Sequence, residues 1–410
     1  MIIKTIIPVT LHKSANRHPF NSKAISIELD KTEFFKYAIY QLEVPSRITE
    51  SNFNYLQSKV PALETLNSDY LELTSDRIIN HATDDRTKQS ISELAGVAVG
   101  LKYTTLLLNT SLHKFSKIGV PIKGKYLDYE VIVEERKYEL ETKGTVKQYF
   151  KTMVDDIINK KKTTSDAYLR FGAIAAVQGS AFERTAECVI VDDPPEDKDP
   201  VDVDYFANQL NYYAIYLSFI LDSKYYNWYI SGVIKKSSSS PNINKRKFFA
   251  RYEFHGNFYY GECFDYRLIQ TNVEVAVREQ NSRDGVFNLL TTRVGVTKFF
   301  IGLNEDVINA INKRDRTKME NYRSEKILED GAGFYRFLDL DGILIIKSTK
   351  NADEQLEKLF TEQEVEKRLN LYIGYLRGQA HDCGSPCESP GLEGKPCEIR
   401  TFREACHWHR

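Results

Sequence analysis

The chain has 410 residues, 42% of them hydrophobic, enough to bury a large core and to build two or three domains. Its 56 Lys and Arg against 57 Asp and Glu give a net charge of -1, which excludes a generally basic nucleic-acid coat and leaves only local patches for such contacts. No apolar run approaches the ~20 residues of a membrane span, and the opening MIIKTIIPVTLHK lacks the length and cleavage site of a signal peptide, so a soluble cytoplasmic protein is expected.

Residues 1–89 read as a separate α/β lead-in. Within it, residues 23–29 alternate like a strand and residues 30–40 read as a capped helix. His12 and His18 have no Cys or acid cluster nearby and read as surface histidines. Residues 90–109 (SISELAGVAVGLKYTTLLLN) predict a helix with an apolar stripe and Glu93 in its first turn. Residues 119–126 (GVPIKGKY) match the start of a phosphate loop, but Tyr126 stands where Ser or Thr must hold Mg²⁺ and Pro121 interrupts the pattern. They read instead as a loop leading into the acidic segment that follows.

That segment, residues 126–145, carries Asp128 at the head of one predicted strand and Glu141-Thr142-Lys143 at the end of the next. Side chains alternate along a strand, so Glu141 and Lys143 share a face and Thr142 points away. Pairing of the strands would bring Asp128 toward Glu141, while Glu130, Glu134 and Glu139 leave the identity of the first acid open. Two carboxylates and an ammonium in one small volume are costly unless a metal ion or substrate compensates them. Hard oxygen donors beside a cation suit Mg²⁺-assisted phosphodiester hydrolysis. Beyond the triplet, Gly144 would permit a sharp exit and Thr145 would cap a helix in which Val146, Phe150, Met153, Val154, Ile157 and Ile158 recur at helical spacing. Lys160, Lys161 and Lys162 at its end complement the helix dipole, and residues 168–178 predict a buried strand ending in Gln178.

Asp128 followed by Glu141-Thr142-Lys143-Gly144-Thr145 resembles the catalytic core of the PD-(D/E)xK, or restriction-endonuclease-like, nuclease superfamily. The resemblance covers roughly residues 90–195, with Leu127 standing where the family carries proline. It implies a core of helix, three-strand meander, second helix and fourth strand. It also implies that Asp128, Glu141 and the carbonyl of Thr142 ligate Mg²⁺, for which Mn²⁺ substitutes. Lys143 would orient or help deprotonate the attacking water, and Glu93 would support a second metal. Gln178 would reach a phosphate or the base of the site.

Residues 191–200 (VDDPPEDKDP) break any element and predict a domain boundary. Beyond it, residues 205–221 read as a buried aromatic helix, residues 225–234 and 248–254 as strands, residues 333–346 as a hairpin turning near Asp341-Gly342, and residues 352–377 as helix. The loop between the first two strands ends in Lys245, Arg246 and Lys247, which would contact a phosphate backbone or simply face solvent. In the tail, residues 379–410, Cys383, Cys387, Cys397 and Cys406 or His407 invite a zinc reading, but the wide second spacing and the shift in composition favour a cloning scar. Cys188 and Cys263 read as inert core thiols.

The expectation is therefore an α/β protein with a restriction-endonuclease-like core, a mixed central sheet flanked by helices, over residues 90–195. An α+β recognition or partner-binding region over residues 201–378 would follow. Its function would be Mg²⁺-dependent DNA hydrolysis, by analogy in restriction or anti-phage defence, acting as a homodimer or with a partner subunit. The alternative is a non-catalytic DNA- or protein-binding subunit that keeps the nuclease-like fold.

Overall fold

The computed structural model describes residues 3–15, 26–39, 70–118, 126–147, 150–162, 165–179, 183–192, 250–265, 297–349, 353–356 and 358–359, with isolated positions at 206, 209–210, 212–213 and 216–217. The chain divides into two units, Met1–Ala352 and Asp353–Arg410. Of the second, residues 354–356 and 358–359 are helical, with the Asp353 carboxylate accepting from Leu356 N. The predicted strand at residues 225–234, the basic triplet Lys245, Arg246 and Lys247, and the Cys/His tail lie outside the described residues, as do residues 193–200 of the predicted linker.

A seven-stranded mixed sheet organises the first half of the larger unit. Its strands are β1 (Lys4–Leu11), β2 (Ser26–Asp30), β5 (Phe115–Lys117), β6 (Tyr129–Val133), β7 (Arg136–Thr145), β8 (Leu169–Ala176) and β9 (Glu187–Asp192), in the order β2-β1-β9-β8-β7-β6-β5. A separate two-stranded hairpin, β3 (Leu71–Leu73) and β4 (Ile78–Asn80), joins it through a parallel bridge from Ile79 to Gln178, just past β8, and through Ile6 N donating to Ser75 O. β5, β6 and β7 form an antiparallel meander, and β8 returns parallel to β7. A parallel return needs a crossover, and α3 (Lys151–Lys161) supplies it. The residues expected as a lead-in share this sheet, because β1 pairs in parallel with β9 through Val9–Leu11 and Cys188–Ile190.

Helix α1 (Lys31–Ala38) begins where its cap dictates: the Asp30 carboxylate accepts from Thr32 N and Glu33 N, at 2.8 and 2.9 Å. Helix α2 runs Asp85–Leu107, five residues earlier than the apolar stripe alone suggests, because Asp84 caps it by accepting from Thr87 N. Glu93 therefore sits in the helix interior and not in its first turn. The two faces of β7 go to different helices. Thr142 meets α2 at Gly100, whereas Gly172 and Ile174 of the adjoining β8 pack under Ile157 of α3 with Val154, Val189 and Val191.

Gly144 and Gly96 explain how closely α2 approaches the triplet. A Cβ on Gly144 would lie 1.6 Å from Ser92 O, and one on Gly96 would lie 2.4 Å from the Lys143 carbonyl carbon. Gly144 is thus a strand residue that lets a helix backbone touch the sheet, and not an exit. Thr145 also remains in β7; its hydroxyl accepts from Lys147 N, and α3 starts after Phe150 with no side-chain cap.

The second half carries a six-stranded antiparallel sheet in the order β10-β11-β12-β15-β14-β13. These strands are β10 (Ala250–Phe254), β11 (Asn257–Asp265), β12 (Thr297–Asn304), β13 (Ile327–Gly331), β14 (Phe334–Leu338) and β15 (Ile343–Thr349). Helices α4 (Glu305–Lys313) and α5 (Arg316–Asn321) follow β12. The expected turn before β15 forms at Gly342, whose φ of 78° suits glycine. Of the expected aromatic helix, Phe206, Leu210, Tyr212, Tyr213, Tyr216 and Leu217 are buried in the same core as the seven-stranded sheet. Among the described residues no helix is long and apolar enough to cross a membrane.

Candidate active site

Strand pairing assembles the site. Tyr129, the first residue of β6, pairs with Leu140 of β7; Asp128 lies just before the ladder, where its N donates to Leu140 O at 3.0 Å, one residue out of that register, and its carboxylate comes near Glu141. The three acids that left the assignment open are engaged elsewhere. Glu130 meets Lys137 at 3.1 Å, Glu139 accepts from Ser165 and Arg170, and Glu134 lies in the β6–β7 turn with a φ of 51°.

Each carboxylate of the pair is held by one oxygen. Asp128 Oδ2 accepts from Thr142 N at 2.9 Å and from Thr142 Oγ1 at 3.0 Å. Glu141 is 0% exposed, and its Oε1 takes Lys143 Nζ at 2.7 Å and Lys160 Nζ at 2.5 Å. Glu141 Oε2 is buried with no hydrogen-bond partner among the described residues. Lys143 also meets Asp156 at 3.4 Å, so the triplet lysine lies between acids of β7 and α3.

The electrostatics follow from burial and charge. Burial pushes the Glu141 carboxyl up from its usual range, Asp128 pushes it the same way, and Lys143 and Lys160 oppose the shift. For Lys143, burial favours the neutral amine, but Glu141, Asp128 and Asp156 outweigh it and hold the side chain as ammonium. A lysine held in that form donates hydrogen bonds and charge.

A cleft of about 730 Å³ opens along the β7 end of the site, lined by Ser92 and Glu93 of α2, Asp128, Thr142, Lys143, Thr145, Thr152 and Asp156. Lys88, Lys117 and Lys147 lie on the same lining, and Lys117 and Lys147 form no ion pair among the described residues. Glu93 thus reaches the cleft, where its Oε1 accepts from Gln89 Nε2 at 2.9 Å. Gln178 does not line the cleft; its Oε1 accepts from Arg77 Nη1 at 3.2 Å and Arg184 N at 3.4 Å. Sequence reasoning missed Asp156 and Lys160. Their spacing of four puts them on one helix face, but nothing local points them at β7.

Among the described residues no three His, Cys, Asp or Glu side chains gather as a metal cluster. The donors present still fit a hard divalent cation. Asp128 offers Oδ1 beside its engaged Oδ2, and Glu141 offers a desolvated, unpartnered Oε2. Comparisons with protein-family models, with curated proteins and with solved structures return no match.

Proposed function

We propose that the protein is a Mg²⁺-dependent nuclease of the restriction-endonuclease-like kind, acting on DNA. The observation that carries this reading is Glu141 Oε2, a fully buried carboxylate oxygen with no hydrogen-bond partner among the described residues, beside a second acid and two lysines. An unsatisfied buried oxygen of this sort costs about 1–3 kcal/mol, a cost that a cation ligand would offset. The helix, meander, crossover helix and parallel strand of residues 85–176 support the same reading, since they occur in the order the resemblance implies.

Asp128, Glu141 and the carbonyl of Thr142 would hold the Mg²⁺. Bound there, Mg²⁺ would supply polarisation of the phosphoryl oxygens and a water of lowered pKa. Thr142 fixes Asp128 through two hydrogen bonds, which keeps its other oxygen directed to the site. Lys143, held as ammonium, orients the attacking water and stabilises charge that develops on the phosphate. Lys88, Lys117 and Lys147 give the cleft positive charge for neighbouring phosphates.

Plasmid cleavage with and without Mg²⁺ or Mn²⁺ tests the reading, comparing the natural protein with Glu141→Ala and Lys143→Ala. Metal-dependent nicking that falls at least ~100-fold in both variants is expected, the size typical of removing one electrostatic group from such a site. Cleavage that survives both substitutions places the chemistry elsewhere. Absence of cleavage and of Mn²⁺ binding in the natural protein favours the non-catalytic binding subunit. Competition between duplex DNA, single-stranded DNA and RNA then tests the substrate.

A further inference from the structure

Of the lysines that join Lys143 on the cleft lining, Lys88 meets Asp85 at 3.6 Å, whereas Lys117 and Lys147 form no ion pair among the described residues. The sheet order places these two on opposite sides of the acids. Lys117 ends β5, the edge strand, and pairs with Tyr129 of β6, so it lies two strand spacings, about 10 Å, from β7. Lys147 follows the end of β7 by two residues, and its carbonyl is held from the other side, by Arg184 just before β9. Asp128, just before β6, and Thr142 and Lys143 of β7 come between them in that order.

A lysine that merely faces solvent needs no support for its backbone, yet Lys147 has it on both sides. Its N donates to Thr145 Oγ1 at 3.0 Å, and its O accepts from Arg184 Nη1 at 2.8 Å. Arg184 is itself fixed. Its N donates to Gln178 Oε1 at 3.4 Å, its Nη2 meets Glu187 of β9 at 3.5 Å, and its guanidinium lies 4.9 Å from the centre of the Phe150 ring. The Arg184 side chain, 13% exposed, thus gives one arm to the carbonyl of an exposed lysine. Lys147 is held at its backbone and unpaired at its tip, at the mouth of a cleft that also holds Lys143.

We propose that Lys117 and Lys147 each take a backbone phosphate, one on either side of the scissile one, and that Arg184 is a positioning residue for Lys147. The substrate is then the interior of a polynucleotide that lies across the ends of β5, β6 and β7. An ammonium is a point charge that meets a phosphate without reading a base, so both contacts add affinity whatever the sequence. The scissile phosphate in this proposal rests on the nuclease reading; the grip on the flanking phosphates does not.

The test is binding of a short fluorescent DNA duplex to the full chain in EDTA, followed from about 50 to 200 mM salt. The logarithm of the affinity falls linearly with that of the salt concentration, with a slope of about 0.9 for each phosphate neutralised. Lys117→Met and Lys147→Met should each flatten the slope by about 0.9, and the two together by about twice that. Arg184→Met should flatten it as Lys147→Met does and change nothing further when the two are combined. In the control Lys162→Met, whose lysine meets Asn159, the slope does not move. A natural slope in both Lys117→Met and Lys147→Met overturns the proposal even where Glu141→Ala abolishes cleavage. An Arg184→Met protein that is weakened to urea but keeps the natural slope removes Arg184 from its positioning role, as does an effect that adds in full to that of Lys147→Met. If the slopes change as expected while metal-dependent cleavage survives Glu141→Ala, the grip on the backbone stands and the nuclease reading of the acids fails. DNA that binds neither in EDTA nor with Ca²⁺ overturns both.

Discussion

Glu141 and Asp341 are both fully buried carboxylates gripped by lysine, and they differ in what their oxygens do. Asp341 sits where α1 meets the second sheet. Its Oδ2 takes Lys36 Nζ at 2.6 Å and the Tyr212 hydroxyl, its Oδ1 takes Ile343 N, and its carbonyl takes the Tyr213 hydroxyl. The neighbouring Asp339 takes Lys36 by one oxygen and Leu340 N by the other. One turn earlier on α1, Glu33 joins Lys102 of α2 to Lys326 next to β13 through a single oxygen, at 2.5 and 2.6 Å. At the Asp339–Asp341 turn every carboxylate oxygen has a partner, whereas Glu141 Oε2 has no hydrogen-bond partner among the described residues. A completed buried network fixes which surfaces meet, whereas a buried carboxylate oxygen without a hydrogen bond carries a desolvation cost.

The largest effect that could break this contrast is at Lys36, which is 0% exposed. Lys36→Met leaves Asp339 and Asp341 buried without their cation and should cost about 3–5 kcal/mol in urea unfolding. A cost under ~1 kcal/mol would mean that the joint is not held by its charges.

His113 sharpens the contrast through pH. Its ring stacks on Tyr213 at 6.1 Å within the completed network. Burial, with repulsion from Lys114 and Lys36, lowers its pKa from 6.5 to about 3. The unfolded chain therefore binds a proton below pH 6.5 that the folded chain refuses until about pH 3. This group's stabilisation is complete above pH 6.5 and is lost as pH falls through that window, by up to about 1.4 kcal/mol per unit. Urea midpoints at pH 7 and pH 5 in the natural protein and His113→Phe read it directly; the variant should lose that part of the slope.

The smallest expected effect is at the cleft. Glu141→Gln removes a buried charge and an unpartnered oxygen along with two lysine contacts, and these terms nearly cancel. A change in unfolding free energy below about 1 kcal/mol is expected. A loss as large as that of Lys36→Met would show that Glu141 serves the fold, and the contrast would collapse.

What could be read from the chain follows the range of the forces involved. Asp30 as a cap, the turn at Gly342, the buried strand near residues 169–176 and the shared face of Glu141 and Lys143 are local consequences of spacing and side-chain type, and all appear in the structure. Thr145 misleads because a hydroxyl before an apolar run suits both a helix cap and a strand end, and the strand pairing with Ala176 prevails. The placement of Lys160, the close contact at Gly96 and Gly144, and the insertion of Lys36 are products of tertiary packing with no local signature. The surroundings of Gln178 are illegible for the same reason: its neighbour Arg77 lies about a hundred residues away in the chain.

The parallel pairing of β1 with β9 has a consequence for how the molecule comes into being. Val9 cannot find Cys188 until about 180 further residues have been made. At about 5–20 residues per second, the earliest strand of the chain waits roughly 10–40 s on the ribosome before the sheet can close around it. β1 can pair with β2 at once, but its edge toward β9 waits for that interval, and this docking, a contact of long sequence separation, is slow by nature. Pulse-labelled hydrogen exchange during refolding should find Val9–Leu11 among the last amides to gain protection, well after the β5–β7 meander that carries the site.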